Sequence, residues 1–342
     1  MKAIRSKPAK PKNPSSYSQI EVFPKAIHQL DKAVGFGEYP SELAPIQKSP
    51  ATSLFEASPA FGRITGKKTS FLDQADNPFG SKNAESFVPP LHLEQYGGST
   101  LSVVSPGANA IYYHWMVDLI PKIHIVKKHF GGLDSFDRII VNRRDKGFQK
   151  ETLELLGINP NQIETAKTIS EGSFEHLHTC NFSGTFRMTE VMKIWAELMP
   201  LPTPKKPTRR IYISREDSDR RNVTNETEIV TSLEKGGFEK VVLTGMTLGE
   251  QVDLFQECDF IISPHGASLT NLLWCQPGTR IIELFSQHIM PGYFNLARAK
   301  GLHYHYFRCN NGGSSHESVE ERNGASFRVS KIDLLNYIKS MM

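Results

Sequence analysis

Between residues 210 and 285 short β-rich runs alternate with helical segments, and this alternation restricts the fold more than any other feature of the chain. Strands are expected at 210–214, 240–243, 260–263 and 280–285, with helices at 226–235, 248–258 and 268–274 between them. Parallel strands need such crossovers, so the pattern implies an α/β fold: a parallel sheet covered by helices on both faces. Ligands in sheets of this kind bind beyond the carboxyl ends of the strands, which is where functional residues should be sought.

The chain of 342 residues exceeds what one hydrophobic core usually organises and suggests two domains. Upstream, residues 100–104 read as a strand, and 113–130 carry helical periodicity with Trp115, Leu119, Ile123 and Val126 on one side. Pro121 inside that helix should kink it or mark a new start. A short buried strand at 138–142 and helices at 149–156 and 188–198 follow. Pro200, Pro202, Pro204 and Pro207 crowd into eight residues that suit neither helix interior nor central strand. The expected division is a basic disordered tail at 1–20, an N-terminal α/β domain at 21–199, a linker at 200–208, a C-terminal α/β domain at 209–310 and a C-terminal segment with a helix at 311–342. Residues up to about 90, rich in Pro, Gly and Ser, give little periodic signal.

Composition narrows the function class. Apolar residues make up 39% and charged residues 22%, enough to bury real cores, and a net charge of +4 is too mild to argue for nucleic acid as a partner. The four cysteines are dispersed without a CxxC pair, which argues against a zinc knuckle or disulfide scaffold and fits a reducing compartment. Without an apolar signal core at the N-terminus or a run of membrane-spanning length, the protein is expected in the cytoplasm, at most resting on a membrane surface. The N-x-S/T triplets at Asn181, Asn222 and Asn225 then read as chance matches.

Chemistry-bearing residues do follow the strands. After the first comes Ser214-Arg-Glu-Asp-Ser-Asp-Arg-Arg221, where Arg215, Arg220 and Arg221 form a plausible phosphate clamp; the plain alternative is a solvated charged loop. After the third comes Ser263-Pro-His-Gly-Ala-Ser-Leu-Thr-Asn271, where Gly266 lets a ligand approach and the helix start at Ala267 offers free amides to a pyrophosphate, or is simply a Ser-capped start. In the fourth strand Glu283 is an acid within an apolar run, and a ribose diol is a suitable partner.

Taken in order, Tyr112-Tyr-His-Trp-Met-Val-Asp-Leu-Ile-Pro121, Tyr212-Ile-Ser-Arg215, Leu248-Gly-Glu-Gln251, Ser263-Pro-His-Gly-Ala267, Pro277-Gly278 and Ile282-Glu-Leu284 resemble glycosyltransferase family 61 over about residues 95–290. The resemblance implies a GT-B-like pair of facing Rossmann-type domains with parallel sheets, a nucleoside-diphosphate sugar donor such as a UDP-sugar, a glycan or polysaccharide acceptor, inversion at the anomeric carbon and no essential metal. Capsular polysaccharide biosynthesis proteins are among its members. It places Ser214 and Arg215 near the donor diphosphate, with His265, Gly266 and Ala267 at the nucleotide; Arg221, Asn271 and Glu283 complete the expected donor site. It places His114 and Asp118 at the cleft between the domains as candidates for the general base, and their i, i+4 spacing lets one helical face present both. The bland alternative pairs Asp118 with Lys122 and leaves His114 to cap or pack.

Two rival readings stay open at this point. Asp217-Ser218-Asp219 matches the D-x-D of metal-dependent glycosyltransferases. A nucleotide-binding module without chemistry, serving an assembly complex, is the other. His303 and His305 share one face of an expected strand and read as surface residues, while Tyr304 and Tyr306 read as core.

Overall fold

The computed structural model describes residues 94–341 apart from 110, 202–205, 287–288 and 310–323, together with the backbones of five strands between residues 35 and 79. The expected N-terminal tail and residues 202–205 of the proline-rich linker lie outside the described residues.

The chain builds two sheets of parallel type within a mixed α/β fold. In the second, β10 (Arg209–Ile213), β11 (Phe238–Val241), β12 (Cys258–Pro264), β13 (Arg280–Phe285) and β14 (His303–Arg308) are mutually parallel and β1 (Gly35–Glu38) joins antiparallel at the edge. The strand order β1-β14-β13-β12-β10-β11 reverses between β10 and β12. Such a reversal opens a crevice at the carboxyl ends, because the two adjoining crossovers leave in opposite directions. The crevice therefore lies between the loop that follows Ile213 and the loop that follows Pro264.

Burial on both faces of this sheet follows the period-2 alternation. Ile211, Ile213, Ile261, Ile281, Phe285, Tyr304 and Tyr306 enter the large core shared with the first sheet. Tyr212, Phe260, Ile262, Ile282, Leu284 and Phe307 enter a second core on the other face.

The first sheet runs β5-β4-β3-β9-β6-β7-β8, with β2 also on β9. Here β6 (Gln95–Ser102) is parallel to β7 (Arg138–Val141) and β9 (Glu171–Asn181), and β7 to β8 (Ile163–Thr165). β2 (Ser53–Ala57), β3 (Ala60–Ile64), β4 (Thr69–Leu72) and β5 (Pro78–Phe79) extend it antiparallel. This sheet too reverses direction, between β6 and β9, so its crevice lies at the loops after Ser102 and Asn181. The stretch before residue 90 contributes to both sheets, although its composition gave no periodic signal.

Helices form close to where periodicity and caps place them. The expected helix at 113–130 is three pieces: α1 (Tyr112–His114), a π turn (Trp115–Leu119) and α2 (Ile120–Phe130). Pro121 marks the new start, in the first turn of α2 directly after the π turn. α3 (Gly147–Leu155), α4 (Met188–Leu198), α5 (Glu226–Glu234) and α6 (Leu248–Gln256) follow, α6 opened by a Thr247–Glu250 capping box. The expected helix at 268–274 is instead a 3-10 helix, Ala267–Trp274, with Leu269 to Trp274 all buried, so it has no solvent face of the kind an amphipathic α-helix shows. α7 (Gly292–Lys300) and α8 (Lys331–Met341) complete the order. Among the described residues no helix is long and apolar enough to cross a membrane.

Asn271 is a correction to the expected donor site. It is fully buried, its Oδ1 accepts from Tyr112 Oη at 3.0 Å and Trp274 Nε1 at 3.1 Å, and its Nδ2 donates to Gln251 Oε1 at 2.7 Å. The carboxamide makes three hydrogen bonds and ties α1 to the second sheet's helices, alongside the edge-to-face pair Trp195–Trp274 at 5.1 Å. Asn271→Leu should lower stability by roughly 2–4 kcal/mol, because it strands the buried Trp274 N–H and two half-buried partners, Tyr112 and Gln251. Urea unfolding would show this, and donor affinity should be unchanged.

Candidate active site

Each crevice brings one histidine backed by a carboxylate. In the first, the loop after β6 is held by Asn142: the Ser105 N–H donates to its Oδ1 at 2.8 Å and its Nδ2 returns to the Ser105 carbonyl at 2.9 Å. That loop carries Gly107 at φ +78°, a left-handed conformation that favours glycine. A Cβ on Gly107 would overlap the His114 ring, so the backbone packs directly on the imidazole edge. From the other side, His114 Nδ1 lies 2.8 Å from Asp118 Oδ2.

Asp118 sits in the π turn, a wider turn found often at functional sites. Its Oδ1 accepts from the Gly184 N–H at 2.8 Å, from the loop after β9. Gly184 has no room for a side chain, since a Cβ would strike the Val117 carbonyl. Asp118 thus accepts on both oxygens and is buried, whereas the His114 side chain is 34% exposed. Lys122 is not its partner: that ammonium donates to the Val104 carbonyl at 3.3 Å, and burial lowers its pKa.

The second crevice holds His265 at the end of β12. Its backbone N–H donates to the Leu284 carbonyl at 2.8 Å, its ring stacks on Phe285 at 5.1 Å, and its Nδ1 pairs with Glu283. Glu283 is fully buried and also accepts from the Tyr304 hydroxyl, so both oxygens are engaged inside the core. The expectation that Glu283 meets a ribose diol is corrected here: the carboxylate backs His265, as Asp118 backs His114.

Beside His265 the loop after β10 folds over Gly266. Arg215 donates through Nε to the Arg220 carbonyl at 3.1 Å and through Nη2 to Ser218 Oγ at 2.8 Å. A Cβ on Gly266 would fall inside the Arg215 guanidinium, so a side chain there would displace Arg215 from its present place, while the extended φ of 179° makes no demand for glycine. Burial first, then neighbouring Arg221, lowers the Arg215 pKa.

Arg221 has the positive φ, 62°, that non-glycine residues rarely adopt, and its buried Nε has no hydrogen-bond partner among the described residues. Asn222 Oδ1 and Ser268 Oγ are likewise buried and without partners among the described residues. Ser268 therefore does not cap the helix that starts at Ala267. Buried polar groups are nearly always paired, so three unpaired ones on the two loops flanking a strand reversal mark a place where a polar ligand would complete the bonding.

Ser214 differs from expectation. Its hydroxyl donates to Glu226 Oε2 at 2.8 Å and accepts from the Glu216 N–H at 3.2 Å, which braces the loop from beneath. Asp217 accepts from Thr244 Oγ1. Among the described residues no three His, Cys, Asp or Glu side chains cluster in a way that could hold a metal ion. His303 and His305 do share a face: His303 is exposed and His305 Nδ1 meets Tyr337 Oη at 2.8 Å.

A glycosyltransferase 61 family model matches residues 112–282, half of the chain. The chain belongs to glycosyltransferase family 61. It is 30% identical over 128 residues to the EGF domain-specific O-linked N-acetylglucosamine transferase of Drosophila melanogaster, covering 36% of this chain and 24% of that protein. The Gallus gallus protein of the same name is 27% identical over 137 residues, 39% of this chain and 26% of its own. A beta-1,2-xylosyltransferase of Arabidopsis thaliana is 35% identical over 95 residues, 27% of this chain and 18% of that protein. The matched stretches thus span about a quarter of these relatives or less.

The two histidines of this family 61 chain are joined by aromatic rings that sequence reading did not single out. Tyr113 meets the His114 ring at 5.3 Å and Tyr293 at 5.4 Å, and Tyr293 meets His265 at 5.5 Å. Gly107, Gly184 and Tyr293 had no distinguishing mark in the sequence. Tyr113 stands beside His114 in a quoted motif and was read as part of it.

Proposed function

We propose that this chain is an inverting glycosyltransferase that moves a sugar from a nucleoside-diphosphate sugar, UDP-linked, to a hydroxyl of a glycan or polysaccharide acceptor without a metal ion. The observation that carries the reading is the Arg215–Gly266 contact flanked by unpaired Arg221 Nε, Asn222 Oδ1 and Ser268 Oγ at a strand-order reversal. The Arg221 guanidinium and the Ser268 hydroxyl can donate to a diphosphate, and Asn222 Oδ1 can accept from a hydroxyl of the adjoining nucleoside.

The pairing of His114 supports a role for it as the base. With Asp118 accepting from the Gly184 N–H and from Nδ1, the imidazole proton belongs on Nδ1 and the Nε2 lone pair is free. The acceptor oxygen attacks the anomeric carbon as its proton passes to Nε2. The bond from that carbon to the diphosphate oxygen breaks on the opposite face, which inverts the centre. Arg215 and Arg221 supply fixed positive charge where negative charge grows on the leaving group. Asp118 orients the imidazole and stabilises its charged form. We place the reaction in the cytoplasm, at most at a membrane surface.

Incubation with a panel of UDP-, GDP- and CMP-sugars, with donor hydrolysis and transfer to oligosaccharides as readouts, tests the reading. Turnover of one UDP-sugar that persists in EDTA is expected. Loss of all activity to the chelator, restored by manganese, would assign Asp217 and Asp219 as ligands instead. Nucleotide binding without turnover of any donor would make the chain a binding module.

A further inference from the structure

Tyr113 and Tyr293 come from opposite sheets and meet edge to face between the two histidines. Tyr113 is 8% exposed, and its hydroxyl makes no hydrogen bond of good geometry among the described residues, although the Thr185 side chain lies near enough to favour its charged form. The hydroxyl lies 3.6 Å from the point a Cβ would occupy on Gly292, the first residue of α7. No side chain caps that helix start, whose N-cap is Pro291. Its first-turn amides carry the positive end of the helix dipole.

Two further unpaired atoms belong to the same place. Thr270 Oγ1 is fully buried, has no aligned partner and faces Tyr293, and the Arg221 guanidinium, with its unpaired Nε, lies within electrostatic reach of Tyr293. Burial raises the pKa of both phenols, most of all by desolvation, so each presents a neutral O–H donor. Two phenolic donors, a hydroxyl and a guanidinium N–H gather near this helix start, and the nearest carboxylates, Asp118 and Glu283, are already engaged by His114 and the Gly184 N–H and by His265 and Tyr304. The ligand they fit is an anion with several oxygens.

Resting on the donor reading above, we propose that Tyr113, Tyr293 and the first turn of α7 form the seat of the donor's distal phosphate, with the Tyr113 hydroxyl donating to the leaving oxygen. Tyr113 adjoins His114 in the chain, so the residue that meets the departing group is fixed beside the one that receives the acceptor's proton. In the reaction the Tyr113 O–H bond is retained. It stabilises the diphosphate as the glycosidic bond breaks.

The experiment compares wild type, Tyr113→Phe, Tyr293→Phe and Arg215→Ala by calorimetry with UDP, inorganic pyrophosphate and uridine, alongside kcat with the accepted donor. Phenylalanine keeps the ring packing, and an unshifted melting temperature confirms it. Each Phe variant should bind UDP and pyrophosphate about tenfold or more weakly, leave uridine unaffected, and lower kcat by a similar factor. Phe variants that bind both anions like wild type, while Arg215→Ala does not, overturn the phosphate seat and leave the donor site standing. Wild-type binding in all three variants removes the donor site as well. Loss of uridine affinity with pyrophosphate unchanged would put the tyrosines at the nucleoside and overturn the seat.

Discussion

Replacing His114 by alanine should lower turnover by at least about a hundredfold, while the dissociation constant for UDP stays within about twofold of wild type. The ring is held from two sides, by the Gly107 backbone and by Asp118, and only Nε2 is left for a substrate. Donor binding is assigned to the other sheet's loops and, on this side, to the Tyr113 hydroxyl rather than the imidazole, so proton transfer and donor affinity should separate. Asp118→Asn should also slow turnover, by a smaller factor. Asparagine can still accept from Nδ1, but its amide would then turn toward the Gly184 N–H, donor against donor, and the ring would be held less firmly. His265→Ala is the internal control. That histidine stands beside Gly266 and Arg215, so its loss should raise the donor dissociation constant. If Asp118→Asn is inactive while His114→Ala turns over normally, the aspartate is the base and the account given for the imidazole is wrong.

Arg215→Ala should weaken UDP binding by about thirtyfold, or roughly 2 kcal/mol, the usual loss for a charge-assisted contact. Arg215 is half-buried beside a second cation, Arg221, and it donates to a carbonyl and a hydroxyl of its own loop. A cation desolvated in this way and facing another cation is stabilised by an arriving anion more than a surface arginine would be. Calorimetry with UDP at low and at high salt measures both the loss and its screening. An unchanged dissociation constant in the variant would remove Arg215 from the site, and with it the diphosphate reading of the loop after β10.

Several elements were legible because local chemistry decides them. The strand at 280–285 and the helix at 188–198 were found with their bounds unchanged, since the first is an unbroken β-rich run and the second a clean amphipathic face. The strand at 240–243 was placed two residues late: the observed Phe238–Val241 includes exposed Glu239 and Lys240, whose charges masked the start of an edge strand. The strands before residue 90 were missed because antiparallel edge strands depend on partners such as β9 far along the chain.

Glu283 and Asn271 mark the boundary between the two kinds of knowledge. An acid in an apolar strand announces by itself that a partner must exist, and polar residues after a strand end announce a candidate site. Which partner satisfies them is set by register: Glu283 stands opposite Tyr306 on β14, and one face of the sheet brings His265 and Tyr304 onto its two oxygens. Asn271 is claimed by Tyr112, 159 residues away in the chain. The sequence alone determined the alternating architecture of the second half and the loops that hold Arg215, His265 and the His114–Asp118 pair, because spacing and side-chain type act over a few residues. Only the tertiary structure decided that Gly184 fixes Asp118, that Glu283 backs His265, that Gly107 packs on His114 and Gly266 under Arg215, and that Tyr113 meets Tyr293. These depend on contacts between strand ends that no local pattern encodes.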